Sequence, residues 1–468
     1  MLFNSIHFLF FLPIVVGLYY LLPQKLRWIL IFISSCYFYM AFVPKYILIL
    51  FFVILVDYIA GLTIEHVNGR LKLFYLIGSL IINISLLAYF KYSNFLNENL
   101  VDVFSLFGKE FHPDNLEIIL PIGLSFHTFQ SMSYTIEVYR GKQKAEKHIG
   151  HFANYVLFFP QMVAGPIERY ETLGNSIKEE HKPLYQNFSD GFKLILYGLF
   201  IKMVVADNIA PFVNKVYSNP SACHSSQILA AIFLFSFQIY ADFFGYSTIA
   251  LGAAKLLGIS IMDNFKTPYL SKSFTEFWSR WHISLSTWFR DYLYIPLGGN
   301  RVKLLGWTFN ILIVFTVSGL WHGANWTFVV WGALHGLMLL FERYFSIFLK
   351  FQIKDSWSFL NYLLVIKTFV ITSFIWVFFR AENFDKANQI FYALFQNYKT
   401  PGIKAHVVAA ILVSLMMIVF DYALFNSRFD KLLNNFKSRY RWLIYAFVLF
   451  CVTALSGTQK YTFIYFQF

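Results

Sequence analysis

Apolar residues along this chain come in long runs rather than in alternation. Each run has about the twenty residues that an α-helix needs to cross a hydrocarbon core of roughly 30 Å. The first covers 6–22, and others follow at 28–43, 46–64, 73–90, 118–138, 149–163, 188–206, 226–258, 305–321, 325–346, 358–379, 405–425 and 441–456. The pattern predicts an all-α polytopic membrane protein of about 11–13 transmembrane helices, with several runs too short or too polar to be full crossings. The first run lacks a basic leader and a small-residue cleavage site and is read as a mature helix, not a signal peptide. No linker rich in Pro, Gly or Ser and no long internal repeat divides the chain, which predicts one integral membrane domain over 1–468.

Composition agrees. Of 468 residues, 58% are hydrophobic and 13% charged, and that charged share is about half the one typical of soluble domains. Soluble, disordered, coiled-coil and collagen-like classes are excluded. Three cysteines, Cys36, Cys223 and Cys451, are too few for a disulfide scaffold and lack metal-site spacing. The net charge of +13, from 38 basic and 25 acidic residues, comes with no nucleic-acid-binding signature and is read as loop topology and contact with anionic headgroups. Lys25 with Arg27, Arg70 with Lys72, and Arg140, Lys142, Lys144 and Lys147 are assigned to the cytoplasm. The acidic loop with Glu98, Asp102, Glu110, Asp114 and Glu117 is assigned outside, so the N-terminus is expected outside as well.

Candidate chemistry concentrates in two stretches. In 273–301, helical spacing places Thr275, Ser279, His282, Ser286 and Arg290 on one face and Phe274, Trp278, Trp281, Leu285 and Trp288 on a neighbouring stripe. With Lys266, Lys272, Arg280, Arg301 and Lys303 nearby, this is either a basic amphipathic helix anchored by tryptophans at the headgroups, or a polar floor leading His282 toward a buried chamber. In 305–336, an apolar helix runs into His322 between Gly319 and Gly323. An ionisable group at that depth is a functional candidate unless it merely bonds a neighbouring helix. Gly319 with Gly323, and Gly332 with Gly336, are spaced for close helix approach. His335, Asp57, His127 with Gln130, Lys367 and Asp421 read as mainly structural. Asp242, between Tyr240 and Tyr246, is the best of the remaining polar positions for lining a polar channel.

Five blocks in order, FFPQMVAGPIERY (158–170), FQIYADFFGYS (237–247), FWSRWHISLSTWFRDYLYIPLGGNR (277–301), SGLWHGANWTFVVWGALHG (318–336) and WVFFRAENF (376–384), are similar to those of the membrane-bound O-acyltransferase (MBOAT) family. The resemblance is strongest to its bacterial alginate O-acetyltransferase-like branch and weaker to its teichoic-acid D-alanylation branch. It implies a core of about eleven spans with re-entrant helices enclosing a tunnel through the membrane, with His322 as the embedded catalytic histidine and His282 as the second, cytoplasmic-side histidine. The block FIYFQF (463–468) resembles a motif in which a tyrosine relays the acyl group; this makes Tyr465 a candidate, although an aromatic cluster there also suits an interface anchor.

The expected donor is acetyl-CoA, bound as a substrate with no permanent cofactor and no metal. Its phosphates would be drawn by Arg280, Arg290, Arg301 and Lys303, and Asp242, Trp321 and Ser286 are expected along the substrate tunnel. A hydroxyl is a poor nucleophile and a thioester an activated donor, so the missing ingredient is a base, which an imidazole supplies at a gain of about 10² to 10⁴ in rate. The expected partners are the lipid bilayer, a polysaccharide acceptor and a secreted or membrane-anchored SGNH-like O-acetyltransferase, with no nucleic acid. D-alanyl transfer to teichoic acid, long-chain acyl transfer, and a polysaccharide-precursor transporter or flippase are the alternatives. Against the transporter, no paired halves with matching broken segments are visible.

Overall fold

The computed structural model describes residues 1–114, 116, 121–349, 358–396, 405–425, 427–456 and 463–464. All regular elements among them are helical. Among the described residues, seven helices are long and apolar enough to cross a membrane: Pro44–His66, Gly69–Leu106, Tyr185–Ser218, Ser225–Leu256, Leu304–His322, Phe359–Arg380 and Ser438–Leu455. Ile6–Leu21 and Val408–Ala423 are shorter apolar helices. Other apolar runs of the sequence are shorter helices or only partly helical. The run at 149–163, for instance, is helical only over Ile149–Leu157 and continues as buried turns.

The chain forms two compact units, residues 1–191 with 250–262, and residues 192–249 with 263–468. In the first, Ile47–His66 packs against Gly69–Leu87 and Leu124–Tyr139. Gly61 makes the close approach possible, since a Cβ there would lie 2.7 Å from the Tyr134 ring. The three helices are tied by a carboxylate. Asp57, fully buried, accepts hydrogen bonds from Ser79 and Ser131, and from Asn83 Nδ2 at 3.0 Å to each oxygen. An ionisable group in an apolar interior is tolerable when its lone pairs are filled in this way. His127 lies 2.9 Å from the Val156 carbonyl through Nδ1, and Gln130 donates to the Tyr155 carbonyl at 2.5 Å. The 158–170 block lies in this unit, held in part by Glu168, which accepts the Met262 N–H at 2.6 Å.

In the second unit, Leu304–His322 and Trp326–Leu349 form a tight hairpin. Its closest point is a glycine crossing. A Cβ on Gly319 would sit 2.2 Å from the Phe328 carbonyl oxygen, and one on Gly332 would sit 2.1 Å from that of Phe315. The expected close approach is thus made by Gly319 and Gly332, while Gly323 accommodates the Phe328 ring, whose nearest atom would be 2.1 Å from a Cβ. Phe359–Arg380 packs beside the hairpin. A second backbone crossing joins Gly198 and Gly245, where a Cβ on Gly198 would lie 2.6 Å from the Gly245 carbonyl. There the helix beginning at Tyr185 passes through a π-helical stretch, Phe200–Ala206, before Asp207–Ser218.

Candidate active site

Periodicity alone predicts one amphipathic helix across 273–290, and the structure breaks it in two. Phe274–Arg280 and Ile283–Phe289 are separated at His282, whose backbone is left-handed, with φ 43° and ψ 55°. Positive φ is uncommon for a side-chain-bearing residue, histidine being among the more tolerant types. The break is held from outside: the Ile283 N–H donates to the Asn264 carbonyl at 2.9 Å, Ser284 N–H to Asn264 Oδ1 at 3.3 Å, and Lys266 N–H to the Arg280 carbonyl at 2.9 Å. These bonds replace the helical ones the break gives up.

The consequence is a relocated imidazole. His282 leaves the polar face predicted for it and is fully buried, its ring 4.7 Å from Phe243 and edge-on to it. Burial pushes the ring's pKa down to about 3, which keeps it neutral near pH 7. Trp281 and Trp288 are also interior, 1% and 6% exposed, so the tryptophans are packing residues rather than a headgroup-anchored stripe.

His322 ends the helix Leu304–His322 and is 4% exposed. Trp321, Trp331 and Phe379 surround its ring at centroid distances of 5.0, 5.1 and 5.3 Å, and the His282 ring is 6.4 Å away. Four separate stretches of sequence, 281–282, 321–322, 331 and 376–379, therefore converge on two imidazoles. Trp376 closes the cluster, 5.0 Å from Trp281 and stacked 5.4 Å from Trp331. His335 sits behind it, fully buried among Trp278 at 5.0 Å and Trp331 at 5.2 Å.

A cavity of about 1560 Å³ opens beside this cluster, lined by Trp278, Ser286, Arg290, Trp307, Ser318 and Lys367 among others. His322 is not in its wall; Ser318, one helical turn earlier on the same face, is. Among the described residues, no group of three or more His, Cys, Asp and Glu is disposed to hold a metal ion.

The family model described as MBOAT, membrane-bound O-acyltransferase family, matches residues 72–381. The chain belongs to that family. It is an acyltransferase and a multi-pass protein of the cell membrane. Among its relatives, the probable alginate O-acetylase AlgI of Pseudomonas aeruginosa is 38% identical over 399 residues, 84% of this chain and 75% of that protein. The peptidoglycan O-acetyltransferase of Helicobacter pylori is 34% identical over 425 residues, 83% of this chain and 79% of its own. The teichoic acid D-alanyltransferase of Bacillus subtilis is 27% identical over 277 residues, covering 56% of this chain and 67% of that one.

The remaining candidates of this MBOAT protein separate into distinct settings. Trp321 is in the cage with His322. Ser286 lines the cavity and donates to the Trp281 carbonyl at 3.2 Å, across the break. Arg290 lines the cavity and pairs with Asp291 at 2.9 Å, while Arg301 and Lys303 are exposed. Arg280 is engaged elsewhere: it holds Glu276 at 2.9 Å, donates to the Lys266 carbonyl at 3.1 Å, and lies 4.5 Å over the Phe425 ring. Tyr465 lies outside the described residues. Asp242 is buried against Lys202, Nζ to Oδ1 2.6 Å, and Lys202 also reaches Asp207 at 2.6 Å. Sequence reasoning singled out Asp242 but missed Lys202 and Asp207, although a lysine inside the apolar run LFIKMVVAD demands a buried partner.

Proposed function

We propose that this protein moves acetyl groups from cytoplasmic acetyl-CoA to the outer side of a bacterial inner membrane, for O-acetylation of an extracytoplasmic polysaccharide such as an alginate-like polymer or a cell-wall glycan. His322 is the general base. The observation that carries this reading is the pair of buried imidazoles, His322 and His282, with ring centroids 6.4 Å apart in an aromatic enclosure. The activities for which the relatives matching most of the chain are named, acetylation of alginate and of peptidoglycan, support acetyl as the group.

In this reading the Tyr465 phenol attacks the thioester carbonyl carbon and its proton passes to the His322 ring. The carbon–sulfur bond breaks, and the departing CoA thiolate takes the proton to leave as the free thiol. His282, neutral and fixed by its backbone, orients the reacting groups. The sequence of leaving groups is favourable, since a thiol ionises near 8.5, a phenol near 10, and a sugar hydroxyl well above both. An acetyl-tyrosine therefore remains activated toward a sugar hydroxyl. That second transfer belongs to a separate SGNH-like extracytoplasmic transferase, which returns the tyrosine to its free hydroxyl form. Arg290, with the exposed Arg301 and Lys303, draws the donor's phosphates. Ser286, Trp321 and Asp242 border the path.

The test is CoA release and polymer acetylation by His322→Ala in membranes that contain normal amounts of the protein. Loss of both is expected, and near-normal acetylation rejects the assignment. Retention of activity by Tyr465→Phe would remove the relay and leave the base.

A further inference from the structure

Lys202, Asp207 and Asp242 form a buried cluster in which one lysine serves two carboxyl groups. Their side chains are 1%, 6% and 4% exposed, and the single ammonium lies 2.6 Å from an oxygen of each carboxylate. One ammonium is thus shared between two carboxyl groups in an interior. A buried carboxylate is sustained only where further donors reach it.

One donor comes from far along the chain. The Ile464 N–H donates to Asp242 Oδ2 at 2.6 Å, a charge-assisted bond of the stronger class. Beside it, the Phe463 ring sits 4.9 Å from Tyr246 and 5.6 Å from Phe243. Phe243 is also the ring that meets His282 edge-on at 4.7 Å. Two consecutive residues on one helix, Asp242 and Phe243, thus touch the 463–464 segment on one side and a candidate active-site histidine on the other. The π-helical stretch at Phe200–Ala206 and the Gly198–Gly245 crossing are what bring Lys202 to Asp242. Such π-helical insertions recur at functional sites.

We propose that the Lys202–Asp207–Asp242 cluster is the docking site for Phe463 and Ile464 of this same chain, clamping the main chain at Ile464 and the Phe463 ring against Tyr246 and Phe243. Asp242 is then a positioning residue. Lys202 holds it in place, and Asp207 holds Lys202. Any catalytic consequence for Tyr465 rests on the relay reading above, while the docking itself does not. Binding through a backbone N–H reads no side chain at 464, so selectivity for the block falls to the ring at 463.

The experiment uses the full chain in membranes, with Cys36, Cys223 and Cys451 replaced by serine and cysteines placed at Tyr246 and Phe463. The rate of disulfide formation between them reports docking. Asp242→Asn and Lys202→Met are each expected to slow it at least tenfold. Unchanged rates in both variants overturn the docking site.

In the protein without these cysteines, Asp242→Asn and Ile464→Pro, which removes the donor and leaves the cluster intact, are expected to lower kcat about 100-fold each. The KM for acetyl-CoA should stay within twofold, and the double variant should be no worse than either single one. Multiplying effects, or a KM that rises in place of the fall in kcat, would mean a merely structural ion cluster. Slowed cross-linking with full activity in Tyr465→Phe sinks the relay and keeps the clamp. Normal cross-linking in Asp242→Asn with a dead Tyr465→Phe does the reverse.

Discussion

The rings of His282 and His322 lie 6.4 Å apart, one at a break between two short helices and the other at the end of a long one. Neither is at a surface, being 0% and 4% exposed. Side chains that serve one proton-transfer step lose function as a unit, so their knockouts are strongly non-additive. His322→Gln is expected to reduce CoA-dependent transfer by about 10² to 10⁴. Adding His282→Asn to it should cost less than threefold more. Single-turnover rates for the two variants and their combination decide this, and independent multiplicative losses would separate the two histidines into unrelated roles.

The same burial gives His282 a signature in acid. Its pKa drops from 6.5 to about 3 on folding because burial penalises the charged ring. Between those values the unfolded chain binds the extra proton, so stability rises with pH across this window. The contribution is fully present above pH 6.5 and is lost as pH falls, by roughly 1.4 kcal/mol per unit from this group. His282→Asn should show a shallower loss of thermal stability than the parent between pH 6.5 and 4.5. Parallel slopes would mean that the ring is hydrated and titrates normally.

Gly319→Ala is expected to abolish the folded protein. Its Cβ would meet the Phe328 carbonyl oxygen at 2.2 Å and the carbonyl carbon at 3.0 Å, both backbone atoms that cannot rotate away. Gly78→Ala, with nothing within 4 Å of the added atom, should express and act like the parent. Monodispersity after detergent extraction distinguishes the two. A well-behaved Gly319→Ala would show that the hairpin can open.

Asp57→Ala strands the donors of Ser79, Ser131 and Asn83 in an apolar interior. Each stranded donor costs about 1–3 kcal/mol. The expected result is a strongly lowered melting temperature. Asp57→Asn, which keeps one acceptor oxygen, should fall between this variant and the parent. An Asp57→Ala protein as stable as the parent would show that these donors find other acceptors.

Much of this was legible in the sequence. The helical class follows from run lengths, and Gly319, His322 and Trp321 stood together in one short block. What could not be read was direction. His282 falls neatly on a polar helical face by spacing, yet a single positive φ turns it inward, and the bonds from Asn264 and Lys266 that hold the break are remote in sequence. Lys202 was legible in principle as a charge in an apolar run, but its partner Asp242 is forty residues away and is found only through the Gly198–Gly245 crossing. A segment such as 149–163, buried by protein, is as apolar as one that crosses a membrane, so apolarity alone does not separate the two.

The left-handed backbone at position 282 also determines which losses of the imidazole will be informative. Asparagine and aspartate are, besides histidine and glycine, the residues that adopt this conformation most readily. Each is reached from a histidine codon by changing one base. A random mutagenesis screen for inactive protein should therefore recover Asn and Asp at 282 as chains that still insert and fold, and these inherited faults would report on chemistry alone. β-branched residues at that codon would disturb the turn as well.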